Sequence, residues 1–469
     1  MNAAPTLPAR RRWLAAAGAL PLAAALPRPA TAAEAALAGL LDQRLAQQGV
    51  GLAAARIDGP AVELAAAGRR VAGEAGAPDA DDLFEIGSLS KTFTALLLAD
   101  MVVRRELALD DAVEAALPPG LKLRDSAGAP IRWADLATHR SGLPRLPSNL
   151  TPAREADPYA AYDEDALHAF LAAWAPTRPR DASWEYSNLG FGLLGHALAR
   201  RAGQDFEALL RERVLAPLGL QGMGLSLARP GRSEPTHRLR GHDASAKPVP
   251  GWHFQVLAGA GALLGSARHL ARYAQAALGL VDHPLAEAFG LVLAPRAGGP
   301  GPANPIGLAW ILAPLNGRQV ATHDGGTFGF TSSIFLDPGR RRAAFVLSNA
   351  MLPVSDLALH LLDPAVPLRD LAAEARAAQA APVVLAPAAL APLAGRYALN
   401  PQFKVVVRAD GARLFAQASG QGEFELFARS AREFFARVTP LTIRFEGDAG
   451  APPAFELTQA GQRLRFVRE

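Results

Sequence analysis

Ser88 and Lys91 stand three residues apart at the head of an otherwise apolar stretch, "GSLSKTFTALLLADMV", residues 87–102. On a helix, side chains three apart stack on one face while adjacent ones diverge, so Ser88 can meet Lys91 and Ser90 largely cannot. A helix N-terminus also presents unpaired backbone N–H groups and a positive dipole end, which suit an oxyanion. The chemistry open to this pair is nucleophilic: Ser88 attacks an acyl carbon and Lys91 activates it. The apolar residues that follow bury the helix and hold the lysine against the interior, where lost solvation lowers its pKa toward that of a working amine. The plainer reading of an isolated Ser-x-x-Lys is a capping serine and a lysine in water.

Two further stretches carry candidate groups. In "WEYSNLGFGLLGHAL", Tyr186 can relay a proton near a lysine and Asn188 can orient a substrate amide. Gly190, Gly192 and Gly195 of that stretch match the dinucleotide pattern GxGxxG, but they follow a turn rather than a strand and lie within helical periodicity, so close helix packing is their role. In "THDGGTFGFTSSIFL", a glycine-rich turn leads into a strand. Gly326 at a sheet edge can offer a backbone N–H as a second oxyanion donor beside that of Ser88. The plainer reading is a bulge or tight turn with His323 and Asp324 as an ordinary hydrogen-bonded pair.

The elements that must position these groups follow from periodicity. "ALAGLLDQRLAQQ" is helical; "GLAAARIDG", "AVELAAAG" and "DLFEIG" read as short strands between Gly and Asp turns. Helical patterns dominate the middle, about 116–295, as in "DALHAFLAAW", where Leu167, Phe170, Leu171 and Trp174 share a face. Strands return at "IGLAWIL", "RQVATH", "TSSIFL" and "AAFVLSN", with Asn316-Gly317 and Asp337-Pro338-Gly339 as hairpin turns, so pairing is antiparallel. An α/β (α+β) domain over 33–369 is expected: an antiparallel sheet flanked by helices, with an inserted helical part. An Ala- and Pro-rich linker, 370–392, precedes about seven short strands in 393–469, a small all-β barrel.

The chain has 469 residues, half of them apolar, and no cysteine, which excludes disulfides and cysteine-ligated metal. Residues 1–32 carry Arg10, Arg11 and Arg12, an apolar stretch broken by Pro21 and Pro27, and the small-residue exit Ala30-Thr31-Ala32. That pattern is a secretory signal of twin-arginine type, with Ala9 where Ser or Thr is preferred, and it implies a periplasmic or secreted product. Cleavage after Ala32 leaves 44 basic and 44 acidic residues. No basic block remains for nucleic acid, and no apolar run is long enough for a further membrane segment.

The three motifs, in this order and spacing, resemble the penicillin-recognising serine hydrolases, most closely the class C β-lactamase branch. Its Ser-x-x-Lys, Tyr-x-Asn and Lys-Thr-Gly are matched by Ser88-Leu89-Ser90-Lys91, Tyr186-Ser187-Asn188 and His323-Asp324-Gly325. The resemblance includes "LATHRSGLP" (136–144), "AGAGALLGSARHLARY" (258–273) and "GTFGF", and spans about 34–365. It implies a β-lactamase/transpeptidase-like fold in which Ser88 is acylated, Lys91 and Tyr186 share the proton work, and Asn188 holds the substrate amide. It further implies an oxyanion hole of the Ser88 and Gly326 N–H groups, substrate contacts from His323, Asp324 and Gly325, and neither metal nor organic cofactor. The C-terminal segment resembles the lipocalin-like domain that some members append.

At the third motif this chain departs from the lactamase pattern. An unperturbed histidine, with pKa about 6.5, is mostly neutral at neutral pH and attracts a substrate carboxylate less than lysine does. Asp324 would either raise that pKa or repel the carboxylate. Related peptidases of D-amino-acid substrates and esterases often carry His here. The expected substrates are therefore β-lactams or D-alanyl peptides, with an esterase as the alternative and a silent cell-wall peptide-binding protein as the second. The lack of a GxSxG elbow argues against an ordinary Ser-His-Asp hydrolase, and ten scattered His with no HExxH or His-x-His-x-Asp-His cluster argue against a metallo-hydrolase.

Overall fold

The computed structural model describes residues 31–469 except 153–155, 230–234, 302, 380–381, 401–402, 419–422, 438–440 and 460–461. The expected signal, 1–32, lies outside the described residues but for Thr31 and Ala32. Helix α1 (Ala32–Gln47) opens on a capping box, with the Thr31 hydroxyl accepting from the Glu34 N–H and the Glu34 carboxylate accepting from that of Thr31. Strands β1 (Gly51–Asp58) and β2 (Ala61–Gly68) follow, then helix α2 (Ser90–Val103) and, in the helical middle, α3 (Glu164–Ala173) and α4 (Asn188–Ala202). The chain returns through β3 (Ala297–Gly301), β4 (Asn304–Ile306), β5 (Ile311–Leu315), β6 (Arg318–Gly326), β7 (Thr331–Asp337) and β8 (Arg342–Ser348) to helix α5 (Ser355–Leu362).

These strands make one sheet in the order β2-β1-β8-β7-β6-β5-β4-β3, antiparallel throughout. The early and late strands meet where β1 pairs with β8, Leu52 opposite Ser348 and Asp58 opposite Arg342. Period-2 alternation divides β1 between two cores. Ala53, Ala55 and Ile57 join the core of the helical middle, on the side of the helix Ala267–Ala277, while Leu52 and Ala54 face Leu37 and Leu41 of α1 and Leu357 and Leu361 of α5. The Asn316-Gly317 hairpin has φ of 47° and 78°, the left-handed values a two-residue turn demands.

Two readings need adjustment. "IGLAWIL" is not one strand: residues 307–310 leave the sheet between β4 and β5, because Ala309 takes φ 68° and gives its N–H to the Ala137 carbonyl in the helical part. "DLFEIG" contributes only Phe84–Glu85, paired with Leu263–Gly265 in a separate three-stranded sheet that also holds Gly224–Leu225.

The C-terminal part is a closed barrel of eight strands: β9 (Gly395–Asn400), β10 (Phe403–Asp410), β11 (Arg413–Ala418), β12 (Phe424–Ala428), β13 (Glu433–Ala436), β14 (Leu441–Phe445), β15 (Ala454–Gln459) and β16 (Gln462–Arg468). Closure comes from β9 against β16. The count exceeds seven because β13 is only four residues long and β15 follows directly on Pro452-Pro453, so neither gives a clear strand signal. The preceding stretch is partly helical, over Leu371–Gln379 and Pro387–Leu390, as its alanine content allows. Among the described residues no helix is long and apolar enough to cross a membrane.

Candidate active site

Ser88 lies in a 3-10 turn, Gly87–Leu89, that runs directly into α2, so the helix proper begins two residues later than the sequence implies. The three-residue spacing still works. Lys91 Nζ is 3.0 Å from Ser88 Oγ, 2.9 Å from Asn188 Oδ1 and 2.7 Å from the Ala260 carbonyl. Lys91 is 0% exposed, Ser88 is half-buried, and Ser90 turns away to accept from the Leu263 N–H. Three neutral oxygens surround the amine, and no carboxylate lies within ion-pair distance of it among the described residues. Burial, and secondarily the Arg145 charge, push its pKa well below the ordinary lysine value.

Tyr186 stands beside this pair, its ring centroid 4.9 Å from Lys91 Nζ. Loss of solvation raises its pKa, so the resting side chain is a neutral phenol. Asn188 begins α4, giving its amide N–H₂ to Tyr159 while its oxygen accepts from Lys91. Ser187 caps that helix by accepting from the Gly190 N–H. Two of the three glycines serve close packing: a Cβ on Gly192 would lie 2.3 Å from Leu257, and one on Gly195 3.0 Å from the Gly259 Cα, whereas one on Gly190 would press on the capping Ser187 hydroxyl at 3.2 Å.

The end of β6 closes the other side. A Cβ on Gly87, whose φ is 52°, would approach the Gly326 backbone nitrogen to 2.5 Å, so only glycine lets the serine turn and this strand touch. Gly326 N–H and the backbone N–H next to Gly87, that of Ser88, thus flank one corner. A Cβ on Gly325 would meet the Ile86 carbonyl at 2.1 Å.

His323 and Asp324 point to opposite faces of β6, as neighbours in a strand do. His323 is buried near Tyr186, ring centroids 6.3 Å apart, and its Nδ1–H donates to the Asp324 carbonyl at 2.7 Å. Burial, reinforced by the Lys91 charge, holds its pKa down to about 3, so it is neutral at pH 7. The Asp324 carboxylate instead accepts from the Ser333 hydroxyl at 2.6 Å on β7. The structure therefore gathers Ser88, Lys91, Tyr186, Asn188, His323 and the Gly326 backbone, and leaves the Asp324 carboxylate outside that group.

Sequence reasoning assigned no role to several residues that complete the site. His139, φ 58°, packs its ring on Tyr186 at 4.4 Å and accepts the Ser187 N–H at Nδ1. The Arg145 guanidinium lies 5.2 Å from the Tyr186 ring centroid, with no carboxylate in ion-pair range among the described residues. Both fall in or beside "LATHRSGLP", the signal that could have found them. Arg145, Tyr159, Trp252, Phe254 and Phe328 wall a cavity of about 280 Å³ that opens on Ser88. A larger hollow, about 460 Å³, lies between Arg238 and Gly251 and holds none of the reactive groups.

A discontinuous antiparallel sheet, a helical insert and a buried Ser–Lys pair between them define a serine-hydrolase fold of the β-lactamase/transpeptidase kind. The beta-lactamase family model matches residues 37–363, and the chain belongs to that family. Its relatives include the D-alanyl-D-alanine-carboxypeptidase/endopeptidase AmpH of Escherichia coli (strain K12), 26% identical over 310 residues that cover 63% of this chain and 78% of that protein. Among solved structures, a beta-lactamase/D-alanine carboxypeptidase from Pseudomonas syringae is 23% identical with a TM-score of 0.61, covering 72% of this chain and all of that one. An octameric penicillin-binding protein homologue from Pyrococcus abyssi, 20% identical with a TM-score of 0.62, covers 93% of this chain and 99% of its own. Both share the fold.

Proposed function

We propose that this chain is a serine hydrolase that forms an acyl-enzyme on Ser88 and acts on carboxylate-bearing amides, β-lactams or D-alanyl peptides. The observation that carries the reading is the buried Lys91 amine, 3.0 Å from Ser88 Oγ and without a carboxylate partner among the described residues. A neutral amine there takes the Ser88 proton as Oγ bonds the acyl carbon. The amide C–N bond then breaks, and the leaving nitrogen regains a proton through the Lys91–Tyr186 pair. Ser88 and Gly326 N–H groups stabilise the oxyanion, and Asn188 orients the substrate amide. Water releases the acyl group by the reverse path.

With His323 neutral, the positive charge available to a substrate carboxylate is that of Arg145 on the cavity wall. AmpH, named a carboxypeptidase and endopeptidase of D-alanyl-D-alanine, is consistent with that substrate class. Export of the chain by its twin-arginine-like signal belongs to the same proposal. An esterase is the second reading, favoured by the neutral His323 and by the apolar faces of Trp252, Phe254 and Phe328.

The test is a time course of intact mass for residues 33–469 with a penicillin and, separately, a short-chain ester, using Ser88→Ala as control. A Ser88-dependent adduct or hydrolysed drug is expected. An intact drug beside a turned-over ester sinks the lactam and peptide reading and leaves the esterase.

A further inference from the structure

Away from Ser88, three ligand-type side chains converge where α3 crosses α4. Glu164 and His168 share a face of α3 at i, i+4, and His196 comes from α4. The two imidazole Nε2 atoms are 3.2 Å apart, and Glu164 Oε1 lies 3.7 Å from that of His168 and 3.9 Å from that of His196. The centre of a triangle with those sides is about 2.1 Å from all three atoms, the ordinary length of a zinc–imidazole or zinc–carboxylate bond.

From this convergence we propose that Glu164, His168 and His196 bind one zinc ion, a second site of this chain that ties α3 to α4. A histidine–histidine hydrogen bond by itself would not require a carboxylate oxygen within 4 Å of both nitrogens. Arg200 donates to Glu164 Oε1 at 2.9 Å, the kind of outer partner that ligating carboxylates keep. A hollow of about 320 Å³ bordered by Glu164, His196 and Arg200 leaves room for water to complete the coordination. Two neutral nitrogens and one carboxylate suit zinc or a neighbouring first-row divalent ion better than magnesium or calcium, which prefer oxygen alone. The two histidines are 28 residues apart across the helix pair, so no sequence motif announces the site.

The test is titration of metal-stripped, untagged residues 33–469 with zinc chloride by calorimetry, with cobalt(II) as a visible-absorption probe. One zinc per chain, a cobalt spectrum of low coordination number and a zinc-raised melting midpoint are expected. Affinity is expected to fall at least tenfold in both His168→Ala and Glu164→Gln. Glu164 is exposed at the start of α3, so its variant keeps the test valid if His168→Ala misfolds. Absence of binding to the wild type, or one equivalent retained at full affinity in Glu164→Gln, overturns the proposal. Neither result bears on acylation of Ser88.

Discussion

The barrel and the Ser88 site treat charge in opposite ways. Around the barrel, arginines and glutamates pair across the outside: Arg408 with Glu423 at 2.9 Å, Arg413 with Glu425 at 2.8 Å, Arg444 with Glu433 at 2.7 Å, Arg465 with Glu446 at 2.6 Å. Its interior is left to aromatic rings, such as Phe455 stacked on Phe466 at 4.9 Å. At the Ser88 site the ionisable groups go inside without opposite charges: Lys91, His139 and His323 are buried among carbonyls, amides and rings. Solvated pairs contribute little and do no chemistry, whereas an unpaired buried base is destabilised as an ion and is therefore available to take a proton.

Removing the buried amine sharpens this contrast most. Lys91→Met is expected to slow acylation of Ser88 on the order of 10³-fold while leaving the melting midpoint unchanged or higher, because an apolar side chain of similar length replaces a buried amine that is costly to desolvate. Stopped-flow acylation and calorimetric melting check the two halves. Phe455→Ala should do the reverse, destabilising the barrel by about 3–5 kcal/mol with acylation intact, measured by denaturant unfolding and the same kinetics. A matching loss of acylation would break the division between the two regions.

Arg145→Met is expected to raise KM about tenfold for substrates bearing a carboxylate and to leave a neutral ester unaffected, consistent with one lost charge-assisted hydrogen bond. Acid provides a subtler probe. His323 titrates near 3 when folded and near 6.5 when unfolded, so the unfolded chain binds the extra proton and stability falls as pH drops between those values. His323→Asn should flatten that part of a pH–stability curve. Smallest of all, Arg465→Ala, which removes an exposed pair, should leave the melting midpoint unresolved from wild type.

The Ser–Lys pair was legible because an i, i+3 contact is local, and a buried helix behind it forces the lysine inward. Hairpin partners were legible from Asn316-Gly317 and the Asp337-Pro338-Gly339 turn. The pairing of β1 with β8 depends on residues nearly 300 apart and is specified only by the shared core. The same holds for the state of His323: its type invites a charge, and only the burial that the fold imposes removes it. Arg145 and the Ala260 carbonyl act through tertiary placement, so the stretches that contain them carried a resemblance but no role. In the barrel, β13 gives no clear signal because four residues are too short for a period, and β15 because it follows directly on Pro452-Pro453.

The most direct test of the central claim is the rate of Ser88 acylation from pH 5 to 9, followed by intact mass in wild type and Lys91→Met. Activity should rise with pH through one ionisation well below the ordinary lysine value of about 10.4 and then level off, with no such limb in the variant. An unchanged profile in Lys91→Met, or a limb only near that ordinary value, would contradict a buried, neutral Lys91 as the base.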